Sequence, residues 1–269
     1  MHMSLKYRQI MPDARRVVIK IGSRALVQKT GRPDKRRMRR LVRDMANIHR
    51  NGREVVLVTS GAIAAGMEAL GMKERPKKMP DQQMVAAVGQ MRLMSRYDDL
   101  FSSAGCRVGQ VLLTRANFHQ KIRQTNAKRT VENLLRHGVI PIINENDAVA
   151  DDEIRALSSF GDNDQLAGLV AKMIRADLLI LLTTVDGLRE QTPAGRTRRI
   201  RYLEEITPKT FEHVGSYDTR LSRGGMHSKL KVAGETAKTG CPVVIANGLS
   251  DGIIQSIMRG EDVGTLVVA

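Results

Sequence analysis

The chain has 269 residues, enough for one large domain or two small ones, and 42% hydrophobic with 27% charged residues is ordinary for a soluble globular protein. Its two cysteines, Cys106 and Cys241, are isolated, which argues against a disulfide scaffold or a zinc site and suits a reducing compartment. The formal net charge of +16 permits a nucleic acid, an anionic membrane or an anionic small molecule as the partner.

The N-terminal segment, residues 1–16, lacks the apolar region of a signal peptide. The most apolar stretch, residues 166–185, is interrupted by Lys172, Arg175 and Asp177 and does not match a membrane span. We therefore expect a cytoplasmic protein that does not enter a membrane.

Five short β-branched runs, each ending in polar or glycine residues, predict strands. They are VVIKIGS (17–23), VVLVTSG (55–61), VIPIINEND (139–147), LLILLTTVDG (178–187) and PVVIANG (242–248). Segments of helical periodicity lie between them, at about 34–50, 61–70, 81–104, 124–137, 162–175 and 225–239. This alternation predicts an α/β fold with a mainly parallel sheet covered on both faces. No linker divides the chain, so we expect a single domain over 1–269, with 186–206 as an excursion that forms a hairpin.

Basic residues concentrate in three segments, 32–43, 123–129 and 196–201. In and after the first segment, apolar residues recur at helical spacing, which places most of the arginines on the outer face of an amphipathic helix. These apolar residues are Met38, Leu41, Val42, Met45 and Ile48. Few aromatic residues are interleaved with the arginines, as stacking of bases would require. A solvated face is therefore favoured over an RNA site, and nucleic acid is not expected as a partner.

Lys20 lies inside an otherwise apolar strand, and in the pattern KIGS it is followed after one residue by Gly22 and Ser23. In sheets of this kind, ligands bind beyond the carboxyl ends of the strands. An ammonium group at this position is costly unless it lies at the strand's end and meets an anion. The alternative is a lysine that snorkels from an edge strand. The glycine allows close approach of a backbone, which favours the functional interpretation.

Two glycine-containing junctions could hold a carboxylate or a phosphate. VTSGAIAAG (58–66) joins a strand to a helix, where Ser60 can cap the helix and the N–H groups of the first turn can bind an anion. SRGGMHSK (222–229) places two glycines before a helix and Lys229 near its first turn. An ordinary capped helix and a simple glycine turn are the alternatives. The sequence contains neither a Walker motif nor a GxGxxG fingerprint.

Seven of the 28 acidic residues lie within the stretch 145–164. NEND (144–147) follows a strand directly, whereas GDND (161–164) opens the next helix and is expected to cap it through its second or third residue. Capping does not explain two such motifs in succession, so we expect both at one site. The acidic residues 151–153 between them are expected to be solvated.

Together these groups suit phosphoryl transfer, which needs mainly positioning and neutralisation of charge on the transferred group. Lysines, glycines and helix N-termini would bind phosphates, and carboxylates could orient the lysines and receive a substrate ammonium. The residues therefore predict a small-molecule kinase, in which Lys20→Ala and Asp164→Ala abolish turnover with little loss of folding. The competing hypothesis, based on the charge of +16, is a nucleic-acid-binding or regulatory protein on the same fold.

Several motifs carry a resemblance to a known family. They are VVIKIGS, VTSGAIAAG, VAAVGQMRLM, QVLLTR, GVIPIINENDAV, FGDNDQL, GGMHSK and VGTLVVA. Through them the chain resembles the glutamate 5-kinases of the amino acid kinase family. The resemblance implies a three-layer α/β/α sandwich that transfers the γ-phosphoryl group of ATP, with Mg²⁺ accompanying the nucleotide, to the side-chain carboxylate of L-glutamate. The product would be L-glutamyl 5-phosphate, the first intermediate of proline biosynthesis. A different acceptor, such as N-acetylglutamate, aspartate or a phosphorylated small molecule, is the nearest alternative.

The resemblance also implies roles for individual residues. Lys20 and Lys229 would stabilise the transferring phosphoryl group, with Asp164 orienting them. The residues expected to bind glutamate are Ser60, Gly61, Asp147 and Asn163, with Asp147 suited to the ammonium group. Those expected to contact ATP are Lys20, Gly22, Ser23, Thr183, Thr184, Arg223, Gly224, Gly225, Met226 and Lys229. The resemblance implies no protein ligand to a metal. It does imply a homo-oligomer, either a dimer or a tetramer.

Four residues depart from the usual pattern of the family, and three of them lie at or near the expected nucleotide site. They are Arg24, Thr184, Arg189 and Arg223. These departures concern the ATP contacts more than the chemistry. Many bacterial members also carry a C-terminal PUA domain. This chain ends at VGTLVVA, so we expect none here, in either a naturally short form or a truncated one.

Overall fold

A computed structural model describes residues 8–28, 32–114, 116–149, 163–192, 195–212 and 225–268. Its strands are β1 (Arg16–Ile21), β2 (Glu54–Val58), β3 (Arg107–Leu113), β4 (Val139–Glu145), β5 (Leu178–Thr183), β6 (Arg189–Gln191), β7 (Thr197–Arg199), β8 (Tyr202–Leu203), β9 (Val243–Asn247) and β10 (Thr265–Val267). Its helices are α1 (Ser23–Leu26), α2 (Lys35–Arg50), α3 (Ala62–Ala69), α4 (Met79–Ser103), α5 (Ala116–His119), α6 (Lys121–Arg136), α7 (Asn163–Ile174), α8 (Pro208–Glu212), α9 (Met226–Ala237) and α10 (Ile253–Met258). A short 3-10 helix, Asp147–Val149, follows β4.

Eight strands form one sheet in the order β3-β4-β2-β1-β5-β9-β10-β8. Neighbouring strands from β3 to β9 are parallel, and β10 is antiparallel to β9 but parallel to β8. The excursion predicted for 186–206 contains an antiparallel hairpin of β6 and β7, as expected. The prediction of an α/β fold with a mainly parallel sheet is therefore confirmed.

Two apolar cores lie on opposite faces of the sheet, because successive residues of a strand point to opposite sides. Val17, Ile19 and Ile21 of β1 belong to the core that α2, α4 and α10 cover, and Val18 belongs to the core that α6, α7 and α9 cover. Burial on both faces explains why the central strands read as continuous apolar runs. The molecule is thus the three-layer α/β/α sandwich that the resemblance implies.

Helix α2 confirms the predicted amphipathic pattern. Its apolar residues are buried, while Arg36, Arg39 and Arg43 are exposed on the opposite face. Arg37 and Arg40, which lie between these faces, form ion pairs with acidic neighbours. In the described part of the chain, no helix combines the length and apolar character that crossing a membrane requires.

Helices α3 and α4 are in backbone contact at two glycines. A Cβ atom on Gly89 would lie 1.7 Å from the carbonyl oxygen of Ala62, and one on Gly66 would lie 1.9 Å from the carbonyl oxygen of Val85. Because no side chain fits at either position, only glycine allows the two helices to approach this closely. The contact holds the start of α3 against α4.

We expect Gly89→Ala to lower the free energy of unfolding by about 3 kcal/mol, because an added methyl group must push the two helices apart. Urea unfolding measures the change. The matched control is Gly234→Ala in α9, where the new Cβ would meet Ile206 at an ordinary 3.4 Å. That control should be neutral or stabilising, since alanine favours a helix over glycine. Equal stability of the two variants would contradict the close contact.

Candidate active site

The ends of five parallel strands meet at one edge of the sheet. The residues at or next to these strand ends are Gly22, Thr59, Asn144, Thr183 and Gly248. The backbone N–H of Gly22 donates to the carbonyl of Leu182 at 3.3 Å, and that of Gly248 donates to the carbonyl of Thr183 at 2.8 Å. Adjacent strand ends are therefore tied to one another, and the N-terminus of α7 lies over the same edge. This is where a sheet of this type binds its ligands.

One buried carboxylate contacts two buried lysines at this edge. Lys20 Nζ lies 2.5 Å from Asp164 Oδ1, and Lys229 Nζ donates to Asp164 Oδ2 at 2.8 Å. Asp164 is 0% exposed, Lys20 4% and Lys229 6%. The three residues come from β1, α7 and α9, so the whole fold is needed to bring them together. The structure thus brings together the three residues to which the resemblance assigns the transferring phosphoryl group.

The charges of this cluster do not cancel. Burial raises the pKa of Asp164, but the ammonium groups of Lys20 and Lys229 outweigh burial, so the pKa stays below its ordinary value. Asp164 is therefore ionised near neutral pH. Two ammonium groups against one carboxylate leave a net positive centre away from water. Such a centre is complementary to an anionic group, and a phosphoryl group in transfer is one.

Local structure explains how the three side chains meet. Lys20 follows Val18 on the face of β1 that α7 covers, and it stands opposite Val58 and Leu181 of the flanking strands. Helices α7 and α9 approach closely at Gly168, where a Cβ atom would lie 2.8 Å from Val232 Cγ1. This close packing sets the first turn of α7, which carries Asp164, beside the first turn of α9, which carries Lys229.

Asn163 forms a second cluster beside Asp164. Its Nδ2 group donates to the carbonyl of Thr59 at 2.8 Å, to Ser60 Oγ at 2.8 Å and to Asn144 Oδ1 at 3.1 Å. The ends of β2 and β4 and the start of α7 are thereby joined through one amide group. Two expected glutamate-binding residues, Ser60 and Asn163, are in direct contact.

The predicted helix cap at Ser60 is wrong. Helix α3 has Gly61 as its N-cap, in the left-handed conformation with φ 106°, and no side chain caps it. Ser60 instead accepts from Asn163, which fixes it to α7. Asn163 is the first residue of α7, and its side chain is used for contacts with the strand ends. Both polar side chains thus connect elements, and the first turn of α3 keeps its N–H groups for a ligand. The other predicted cap of α7, Asp162, lies outside the described residues.

The other predicted site residues lie at the same edge with varied exposure. Asp147 begins the 3-10 helix after β4 and is half-buried. Gly22 leaves room beside the first lysine, since a Cβ atom there would lie 3.6 Å from Lys20 Nζ. Thr183 ends β5 and is half-buried, as are Thr184, Gly225 and Met226, and Ser23 is exposed. Gly225 is the N-cap of α9.

Some of the predicted residues fall outside the described part of the chain. They are Arg223 and Gly224 of the glycine-rich loop, Asp162 of GDND, and the acidic residues 151–153. Among the departures from the family pattern, Arg24 is exposed in α1. Arg189 pairs with Asp186 at 3.1 Å, and this hydrogen-bonded pairing lowers the pKa of Asp186.

Sequence reasoning did not identify the supporting residues on α4. Gln90 Oε1 accepts from Asn144 Nδ2 at 2.7 Å, and the buried Tyr97 hydroxyl bonds Thr59 Oγ1 at 2.8 Å. Burial raises the pKa of the Tyr97 hydroxyl, so it remains protonated. The signal that could have found Gln90 is the motif VAAVGQMRLM, in which a polar side chain follows a glycine that faces another helix.

Comparisons with known proteins identify a family and match the fold. The chain matches the amino acid kinase family over residues 15–247. It is 45% identical to glutamate 5-kinase of Moorella thermoacetica, over 96% of this chain and 68% of that protein. It is 38% identical to glutamate 5-kinase of Clostridium tetani, over 98% of both chains. Among solved structures, it superposes on carbamate kinase of Giardia lamblia bound to AMP-PNP, with a TM-score of 0.67 and 15% identity, covering 96% of this chain and 99% of that one.

Proposed function

The chain belongs to the amino acid kinase family, and within it to the glutamate 5-kinases, and on that premise we propose that it transfers the γ-phosphoryl group of ATP to the side-chain carboxylate of L-glutamate. The product would be L-glutamyl 5-phosphate, the first intermediate of proline biosynthesis. The observation that carries this proposal is the buried Lys20–Asp164–Lys229 cluster, whose net positive charge lies where the strands end.

In the proposed reaction the substrate carboxylate attacks the γ-phosphorus directly, so no protein nucleophile is needed. The ammonium groups of Lys20 and Lys229 neutralise charge on the phosphoryl oxygens as the bond to the leaving phosphate breaks. Asp164 holds both lysines in place before the reaction begins, since each contacts a different oxygen of its carboxylate. Catalysis by positioning and charge neutralisation is what phosphoryl transfer requires.

The acceptor would lie between the ends of β2 and β4. The first turn of α3, after Gly61, offers backbone N–H groups to a carboxylate of glutamate. Ser60 and Asn163 supply polar contacts, and the carboxylate of Asp147 would receive the ammonium group. These roles account for the polar residues at both strand ends.

ATP would lie beyond β1, β5 and the start of α9. The proposed contacts are Gly22, Ser23, Thr183, Thr184, Gly225 and Met226, together with Arg223 and Gly224, which precede α9 in the chain. Gly22 permits a phosphate to approach the Lys20 ammonium because it presents no side chain there. The extended Gly225 before α9 leaves the N–H groups of the first turn directed at an anion.

Mg²⁺ is proposed to enter with ATP as part of the substrate. Among the residues described, no group of three or more His, Cys, Asp or Glu side chains is arranged to hold a metal ion, and both oxygens of Asp164 contact lysines. The ion would therefore take most of its ligands from phosphate oxygens and water, as Mg²⁺ often does. We further propose that 1–269 is one kinase domain that assembles as a homodimer or homotetramer, which light scattering after gel filtration would determine.

The test of the function is an assay with ATP, Mg²⁺ and L-glutamate. We expect glutamate-dependent release of ADP and an acyl phosphate that hydroxylamine traps as the hydroxamate. Omission of glutamate should reduce ADP release to background. Folded protein that releases no ADP in response to glutamate would refute the proposal.

We expect N-acetylglutamate to be a poor acceptor, with kcat/KM at least about 100-fold lower than for glutamate. Acetylation removes the ammonium group that the Asp147 carboxylate would receive, and a site built to bind a polar group rejects an analogue that lacks it. A panel containing glutamate, N-acetylglutamate and aspartate measures this preference. The matched control is Asp147→Asn, which should reduce the preference for glutamate, and an unchanged ratio would contradict the role of Asp147.

A further inference from the structure

A chain of side-chain amides runs from the sheet edge into the proposed glutamate site. Gln90 Nε2 of α4 donates to Gln110 Oε1 of β3 at 3.1 Å, and Asn144 Nδ2 of β4 donates to Gln90 Oε1 at 2.7 Å. Asn163 Nδ2 of α7 then donates to Asn144 Oδ1 at 3.1 Å. Four elements, β3, α4, β4 and α7, are thereby connected by their amide groups.

Backbone groups at the inner end of this chain fix its direction. The carbonyl of Thr59 only accepts, so the Nδ2 side of Asn163 must face it. The backbone N–H of Glu145 only donates, and it lies 2.9 Å from Asn144 Oδ1. Asn144 must therefore turn its Nδ2 outward, where it needs an acceptor. Gln90 Oε1 is that acceptor.

The direction of the chain decides which atom of Asn163 is left for a ligand. With Nδ2 committed to Thr59, Ser60 and Asn144, the atom that remains is Oδ1, an acceptor. Among the described residues, none donates to this oxygen. An acceptor at this point suits the ammonium group of an amino acid, whereas a rotated amide would present N–H groups and repel it.

We propose that Gln90 is a positioning residue for the acceptor substrate. It holds the amide of Asn144, which in turn keeps Asn163 directed to receive the substrate ammonium, and Gln90 itself does not touch the substrate. This role rests on the proposed function. It adds a residue of α4 to a site whose other members come from strand ends and from α7 and α9.

Helix α4 is held rigidly enough for this role. Gly89, directly before Gln90, is in backbone contact with Ala62 at the start of α3. About two turns further on, Tyr97 bonds the side chain of Thr59, the residue whose carbonyl Asn163 also contacts. The same helix therefore supports Asn163 along two routes, through Asn144 and through Thr59.

The experiment compares Gln90→Met with Gln90→Glu in steady-state kinetics. Methionine has similar volume but accepts no strong hydrogen bond, so we expect the KM for glutamate to rise about tenfold, as loss of one oriented hydrogen bond predicts, with kcat and the KM for ATP changed less than about threefold. In Gln90→Glu the new carboxylate still accepts a hydrogen bond from Asn144. We therefore expect the KM of this variant for glutamate to be within about threefold of the wild-type value at about 0.5 M salt, which screens the added charge.

The matched control is Gln82→Met on the same helix. Gln82 donates to the carbonyl of Pro76 at 2.9 Å and takes no part in the amide chain, so its variant should keep wild-type kinetics. Gln90→Met kinetics equal to the control would overturn the inference. So would equal impairment of Gln90→Glu and Gln90→Met, or a rise in the KM for ATP as large as that for glutamate. The wild-type protein is assayed before any variant is compared. Wild-type protein that is inactive on glutamate would refute the proposed function itself.

Discussion

Lys20→Met is expected to lower kcat for glutamate phosphorylation by about 10³-fold while the protein remains folded, the size found when one donor to a developing charge is removed from an enzyme. The substitution removes one of the two ammonium groups that would neutralise the phosphoryl oxygens. It leaves Asp164 paired with Lys229 at 2.8 Å, so no charge is buried without a partner. Methionine also fills a similar volume. Activity and stability should therefore separate.

Folding stability decides whether a loss of activity in this variant is informative. Because an ammonium group with only 4% exposure is costly to bury, its replacement by an apolar side chain should leave the free energy of unfolding unchanged or raise it. The control is Lys172→Met at the other end of α7, where the lysine is exposed and activity should be retained. A Lys20→Met variant with activity within tenfold of the wild type would contradict the catalytic role.

The fold was predictable because strands that are buried on both faces have continuous apolar sequences. The five predicted strands are all present, and the predicted helix over 34–50 is observed as Lys35–Arg50. Strand β3 was not predicted. It is an edge strand of the sheet, with exposed Arg107 and Gln110 among its first residues, so its sequence lacks the continuous apolar run of the central strands. Strand pairs as short as β8 and β10 give even less signal.

The charged part of the site was also predictable, since a lysine within an apolar strand is costly unless it meets an anion, and helix capping does not explain two acidic motifs in succession. The amide network was not. Gln90 and Asn144 are 54 residues apart in the chain, and a glutamine in a long helix is unremarkable until a partner is placed beside it. The predicted cap at Ser60 failed for the same reason, because Asn163, 103 residues away, is the group it contacts.

Asp164→Asn is expected to lower kcat by about 10³-fold or more and also to destabilise the fold by about 3–5 kcal/mol, the cost of removing one partner from a buried ion pair. This differs from the sequence-based expectation that substitution of Asp164 leaves folding nearly intact. The physical reason is burial: without the carboxylate, Lys20 and Lys229 remain as two ammonium groups in a site almost closed to water. Urea unfolding and steady-state kinetics on one preparation measure both effects. A folded variant with full stability would contradict the buried cluster.

The double variant Asp164→Asn with Lys20→Met separates charge from packing. It leaves one ammonium group instead of two, so it should recover part of the stability lost in Asp164→Asn without recovering activity. The two substitutions are then non-additive in stability, as expected for residues in contact. Additive effects would mean that the destabilisation of Asp164→Asn comes from altered packing and not from unpaired charge.

Acid unfolding gives an independent measure of the same carboxylate. The pKa of Asp164 is below its ordinary value of 3.8 in the folded protein, because the two lysines outweigh the effect of burial. A lowered pKa means that the carboxylate stabilises the fold fully above the unfolded pKa and that this contribution is lost as the pH falls through the folded pKa. The stability difference between wild type and Asp164→Asn should therefore be constant from about pH 5 to 7 and shrink below about pH 4. A stability difference that instead grew on acidification would mean that burial, and not the two lysines, determines the protonation of Asp164. The proposed site would then lack the ionised carboxylate that holds Lys20 and Lys229 beside the phosphoryl group.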